Sequence, residues 1–182
     1  MKKLALYIFL PSLIMAITFG SLVMPRQSAY ANAANAPLML ITRTPIAPLE
    51  KDAAKAALSN LFKREQNWLN LQSSELQKTN EIAAVTQQLI DAATAEGKDT
   101  SALQAALGQF NASIASAQAD HNQAASIISA ANGFDGNGDV TDLISAHQTV
   151  ENARLSLRSA HNSIVQSTRN LAQAVHNWKN SQ

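Results

Sequence analysis

The sequence predicts an all-α protein, an antiparallel up-down-up three-helix bundle with coiled-coil-like packing. Three observations carry that prediction. No proline occurs after Pro48 in a chain of 182 residues. Beyond that point the glycines at Gly97 and in the Gly133–Gly138 cluster are the two breaks, and they leave three long tracts. Apolar residues then recur with a period of seven in the last two tracts, the spacing of a helical seam.

Residues 1–33 read as an export signal. Lys2 and Lys3 open the chain, and residues 4–24 carry no charge. Ala29-Tyr30-Ala31 and Ala31-Asn32-Ala33 both place small residues at −1 and −3 of a signal-peptidase cut, which falls after Ala33, with Ala31 second. The rival reading is a retained signal anchor, because an uncharged run of this length also spans ~30 Å of hydrocarbon as a helix. Residues 34–48 form an apolar linker punctuated by Pro37, Pro45 and Pro48. Residues 49–182 form the bundle.

The first helix is expected over about 49–96. Pro48 suits a first turn, and Glu50 and Asp52 suit the positive end of the helix dipole. Its stripe runs Leu58, Leu61, Phe62, Trp68, Leu69, Leu76, Ile82, Val85, Leu89 and Ile90, interrupted by polar Glu65, Gln72, Thr79 and Thr86 at seam positions. Gly97 sits where a left-handed C-terminal cap belongs. The second helix, about 101–132, starts after Asp99, Thr100 or Ser101 as N-cap. Its seam steps by four and three through Leu103, Leu107, Phe110, Ile114, Ala117, His121, Ala124 and Ile128. Gly108 lies mid-helix at a cost of about 1 kcal/mol relative to Ala, which suggests close approach of a neighbour. The third helix, about 142–180, carries Leu143, Val150, Leu157, Ile164, Leu171 and Trp178 seven apart. Ala146, Ala153, Ala160, Ser167 and Ala174 follow three positions later. One large and one small residue per heptad lets helices approach closely.

The helix lengths, ~70, ~48 and ~60 Å at 1.5 Å per residue, do not match. Pairing about the two turns puts His121 opposite Leu76 and the 150–154 stretch, and leaves residues 49–64 as an overhang. Leu58, Leu61 and Phe62 on that overhang are candidates for association, through a protein partner or a homodimer. The alternative is a break near Ser73-Ser74 that folds the first helix back as a fourth.

Composition narrows the function classes. Removing residues 1–33 leaves 11 basic against 13 acidic residues, a net −2, with no electrostatic footprint for nucleic acid. There is no cysteine and hence no disulfide framework. Charged residues make up 15%, well below the ~25% of ordinary domains. Residues 49–182 instead hold 26 Asn plus Gln and 25 Ala, so amides solvate the surface and the apolar seam must set the register.

No pattern of catalysis stands out. No glycine-flanked serine elbow and no phosphate-cradling glycine loop occurs. Asp135-Gly136-Asn137-Gly138-Asp139 imitates the start of a calcium loop, with oxygen ligands at Asp135, Asn137 and Asp139. Such loops require Gly at position 6 and an acid at position 12, where Val140 and Ala146 stand, so the stretch reads as a turn before an N-cap. His121, His147, His161 and His176 include no pair three or four apart, and so no helical metal pair. His147, Arg154 and His161 share a stripe flanking the third seam, and His121 occupies a seam position as a satisfied core histidine. No cofactor is expected. Asn111-Ala112-Ser113 matches a glycosylation sequon inside the second helix.

The segments Phe62–Leu69, Gly97–Leu103 and Gly133-Phe134-Asp135 together resemble a set of secreted, all-helical bacterial proteins without an assigned activity, over roughly residues 55–180. The resemblance implies an extracytoplasmic bundle. Small periplasmic helical chaperones are similar in size and compartment, but their Leu-Thr-x-x-Gln signature does not occur here. The expectation is therefore a non-enzymatic structural or interaction protein outside the cytoplasm, with membrane attachment only if the signal is retained. A holdase-like chaperone is the alternative, and a metal-binding or enzymatic domain the second alternative.

Overall fold

The structure is a computed structural model that describes residues 48–182. The expected signal and cleavage sites, and the linker up to residue 47, lie outside the described residues. Three helices follow one another: α1 (Pro48–Ala95), α2 (Ser101–Ala130) and α3 (Leu143–Asn180). Together they form the three-helix all-α bundle. α1 runs unbroken through Ser73 and Ser74, so the four-helix alternative is not what the chain adopts.

The helix ends follow local chemistry. At the end of α1, Gly97 takes φ 76°, Lys98 N–H donates to Ala93 O at 3.1 Å and Gly97 N–H donates to Thr94 O at 2.9 Å. That pair of bonds closes the open carbonyls of the last turn. Thr100 occupies the N-cap position of α2 without capping it, because its hydroxyl turns inward to Thr94 Oγ1 at 3.0 Å. Asp99 takes over, accepting from Ser101 N–H at 2.9 Å. Asp142 caps α3 by accepting from Ser145 N–H at 2.7 Å.

The core has three centres along the bundle. Leu89, Ile90, Leu103, Leu107, Phe110 and Leu171 fill the end near the α1–α2 turn. Leu76, Ala117, Ala160 and Ile164 fill the middle. Phe62, Phe134, Val140, Val150 and Leu157 dominate the other end. Ala117, Ala124, Ala146, Ala153 and Ala160 are all fully buried. These small side chains let the helices approach closely, and α2 and α3 pack against each other far more extensively than either packs on α1.

Two expectations are corrected. Gly108 meets no neighbour: a Cβ built there would face open space, because the position lies beside the seam at Leu107 rather than on it. The register of α1 also differs by about one turn. His121 pairs with Gln72 and Ser73 rather than lying opposite Leu76, which shortens the overhang. The α2–α3 loop covers the inner end of the overhang around Ser59 and Phe62, while Glu50, Lys51, Asp52, Ala53, Ala56 and Ala57 remain exposed. Phe134 and Val140 form an isolated antiparallel bridge, and the loop they close lies on α1. Ser59 donates to Gly138 O at 2.7 Å, and Phe134 stacks on Phe62 at 4.1 Å.

Candidate functional site

The most chemically distinctive part of the molecule is the polar row of α1. Glu65, Gln72, Thr79 and Thr86 stand seven residues apart and are all buried. Their spacing puts them in line with the apolar seam, so each must find a partner without water. The threonines solve this locally. Thr79 donates to Leu76 O at 2.6 Å and Thr86 to Ile82 O at 2.8 Å.

Gln72 is too long for that and reaches across the bundle. Its Nε2 donates to Leu157 O of α3 at 2.9 Å. That bond settles the orientation of the amide, since the reverse would set two oxygens face to face. Oε1 therefore points at His121 Nδ1, 3.0 Å away on α2, and accepts its proton. The imidazole is thus the Nδ1–H tautomer, and Nε2 is left as an acceptor facing Ser73 Oγ at 3.2 Å. Burial lowers the His121 pKa and keeps the ring neutral. Three helices are joined by this one relay. His121 is buried, whereas Ser73 stands at the exposed end.

Two turns nearer the loop, Glu65 is 1% exposed. One carboxylate oxygen accepts from Arg64 Nη2 at 3.1 Å, and Oε2 has no hydrogen-bond partner among the described residues. Burial raises its pKa, and the neighbouring Arg64 and Arg154 oppose that rise without cancelling it. On the same flank His161 Nδ1 lies 3.4 Å from Glu75 Oε2, and its ring meets the edge of Trp68 at 6.3 Å. Arg154 pairs with Glu151 at 3.9 Å, and His147 is exposed. His147, Arg154 and His161 thus line one side of α3 without converging on a point.

The calcium-like residues serve the loop itself. Asp135 Oδ1 accepts from Asp139 N–H and Asn137 N–H, each at 2.9 Å, and these bonds lower its pKa. Among the described residues no group of three His, Cys, Asp or Glu side chains is placed to hold a metal ion. Leu58, Leu61 and Phe62 belong to the core centre at the loop end, Phe62 fully and the two leucines partly buried. The part of the overhang that carries them packs against the chain's own α2–α3 loop. Trp178 donates to Asp99 O at 2.7 Å and closes the opposite end of the bundle.

The Gln72–His121–Ser73 relay is what sequence reading missed. Gln72 and His121 are both polar residues at seam positions on facing helices. Pairing polar with polar would have set the register that loop-to-loop counting placed one turn away. No family model, curated protein or solved structure matches this chain.

Proposed function

We propose that this protein is a non-enzymatic helical bundle, exported by residues 1–33, that works outside the cytoplasm by binding another protein along its helix surfaces. The observation that carries the reading is the solvent side of α3. Ile144 is 69% and Leu155 54% exposed. They lie eleven residues apart, three helical turns, and so share one side of the helix. The folded chain already buries most apolar residues of its seams, and the residues around these two are polar or charged, among them His147, Gln148, Glu151, Asn152 and Arg158. A partner that covered the exposed part of both side chains would gain about 1–2 kcal/mol from each. Among the described residues no helix is long and apolar enough to cross a membrane.

The test is capture from the envelope fraction of the source cells with the mature protein and with Ile144→Asp/Leu155→Asp. A protein retained by the first and lost by the second supports the reading. Identical capture by both removes it. Suppression of client aggregation at stoichiometric ratio, abolished by the same double substitution, would move the reading to a holdase. N-terminal sequencing of the secreted form tests the cut after Ala33.

A further inference from the structure

We infer that Ser73 is a nucleophile activated by His121 and that the α1 surface at this point is a site of covalent acylation by activated esters. Four geometrical facts converge. Ser73 Oγ lies 3.2 Å from His121 Nε2. His121 Nδ1 lies 3.0 Å from Gln72 Oε1. Gln72 is itself fully buried and locked by Leu157 O at 2.9 Å. Ser73 is exposed, so a reagent reaches the hydroxyl from solvent. Nucleophile, base and orienting group thus stand in hydrogen-bonding sequence, the arrangement that lets a hydroxyl attack a carbonyl carbon. The orienting amide is uncharged, so it selects the tautomer without adding charge stabilisation to the imidazolium.

The tautomer argument decides the direction of proton flow. Ser73 Oγ also lies 3.3 Å from Leu69 O, the ordinary back-bond of a helical serine. With Nε2 held as an acceptor, the hydroxyl proton has a basic nitrogen to go to as well as a carbonyl. In the reaction, the Ser73 oxygen forms a bond to the acyl carbon and the bond from that carbon to its leaving oxygen breaks. The serine proton passes to Nε2 and from there to the departing oxygen. Nothing is oxidised or reduced. The peptide N–H groups around a mid-helix serine are committed to the helix ladder, so they offer no oxyanion cradle. The site therefore suits esters with good leaving groups, and its product is a stable serine ester.

The experiment compares two adjacent serines in one peptide. Ser74 is also exposed and has no side-chain hydrogen bond to a histidine among the described residues. Cleavage after Arg64 and Lys78 yields residues 65–78, in which Ser73 and Ser74 are the only serines. The mature protein is treated with p-nitrophenyl acetate at pH 8, and fragment spectra place the acetyl group. The expected result is acetylation of Ser73 over Ser74 by about tenfold or more, a modest share of what a positioned general base supplies. The preference fades only where the pH is low enough to protonate the His121 ring, which burial places below the ordinary imidazole range. His121→Gln, which keeps a polar amide in the seam but no base, brings the ratio to about one. Equal acetylation of the two serines in the wild-type chain, or acetylation of lysines with neither serine modified, overturns the inference. So does a preference that survives in His121→Gln. The comparison within one wild-type peptide holds even if the variant folds poorly.

Discussion

Phe62 of α1 and Phe134 of the α2–α3 loop stack at 4.1 Å between ring centroids, with their planes 15° apart. The contact joins residues far apart in sequence and turns the loop into a cover for the end of the bundle. Val140 and Ser59 complete it, one through the bridge to Phe134 and the other through the bond to Gly138 O. Truncating Phe134→Ala should cost about 3–5 kcal/mol of unfolding free energy. A double-mutant cycle with Phe62→Ala should return a coupling of about 0.5–1.5 kcal/mol, measured by urea denaturation. Strictly additive losses would mean that loop and helix do not depend on each other.

Leu157 and Arg158 are neighbours in sequence and opposites in environment. Leu157 is fully buried in the α3 seam and Arg158 is exposed. Leu157→Ala should lower stability by about 2–5 kcal/mol, whereas Arg158→Ala should change it by less than about 0.5 kcal/mol. Thermal unfolding of both variants decides whether α3 presents the face described.

Gly108 and Gly133 should respond to alanine in opposite ways. Gly108 is an ordinary helical position with open space where a Cβ would go, so Gly108→Ala should raise stability by about 1 kcal/mol. Gly133 has φ 84°, and a Cβ there would lie 2.7 Å from Asp142 O and collide with the first turn of α3. Gly133→Ala should fail to fold or lose cooperativity, as seen by circular dichroism melts.

The buried Glu65 and His121 make stability depend on pH in opposite senses. Burial raises the Glu65 pKa, so the folded state holds its proton more tightly than the unfolded chain does. Its cost is present above that raised value and disappears as the pH falls below about 4.3. Burial lowers the His121 pKa, so its cost is absent at neutral pH and sets in as the pH falls below about 6.5. Glu65→Met should therefore stabilise the bundle by about 1–3 kcal/mol at pH 8, with the gain shrinking toward pH 4. His121→Gln should flatten the loss between pH 7 and pH 5. Denaturant titrations across that range measure both, and a Glu65→Met gain that is constant with pH would show that ionisation of Glu65 is not its source.

Much of this fold is written in short-range pattern. The absence of proline after residue 48, the cap at Gly97 and the seven-residue rows of α2 and α3 mark three helices and the faces they bury. Those rows predict Leu103, Phe110, Leu157, Ile164 and Leu171 as core, where the structure places them. Such features are local: helix propensity, capping and periodicity act within a few turns and can be read residue by residue. Relative sliding of long helices is a different matter. A heptad row repeats itself, so shifting α1 by one turn costs little in pattern and changes every cross-helix pair. Only the packed structure decides that shift, through the reach of Gln72 to Leu157 O, the stack of Phe62 on Phe134 and the turn geometry at each end. The same reason separates the legible from the illegible at the candidate site. Gln72, Ser73 and His121 were each visible in the sequence, but the distances that join them exist only once the register is set.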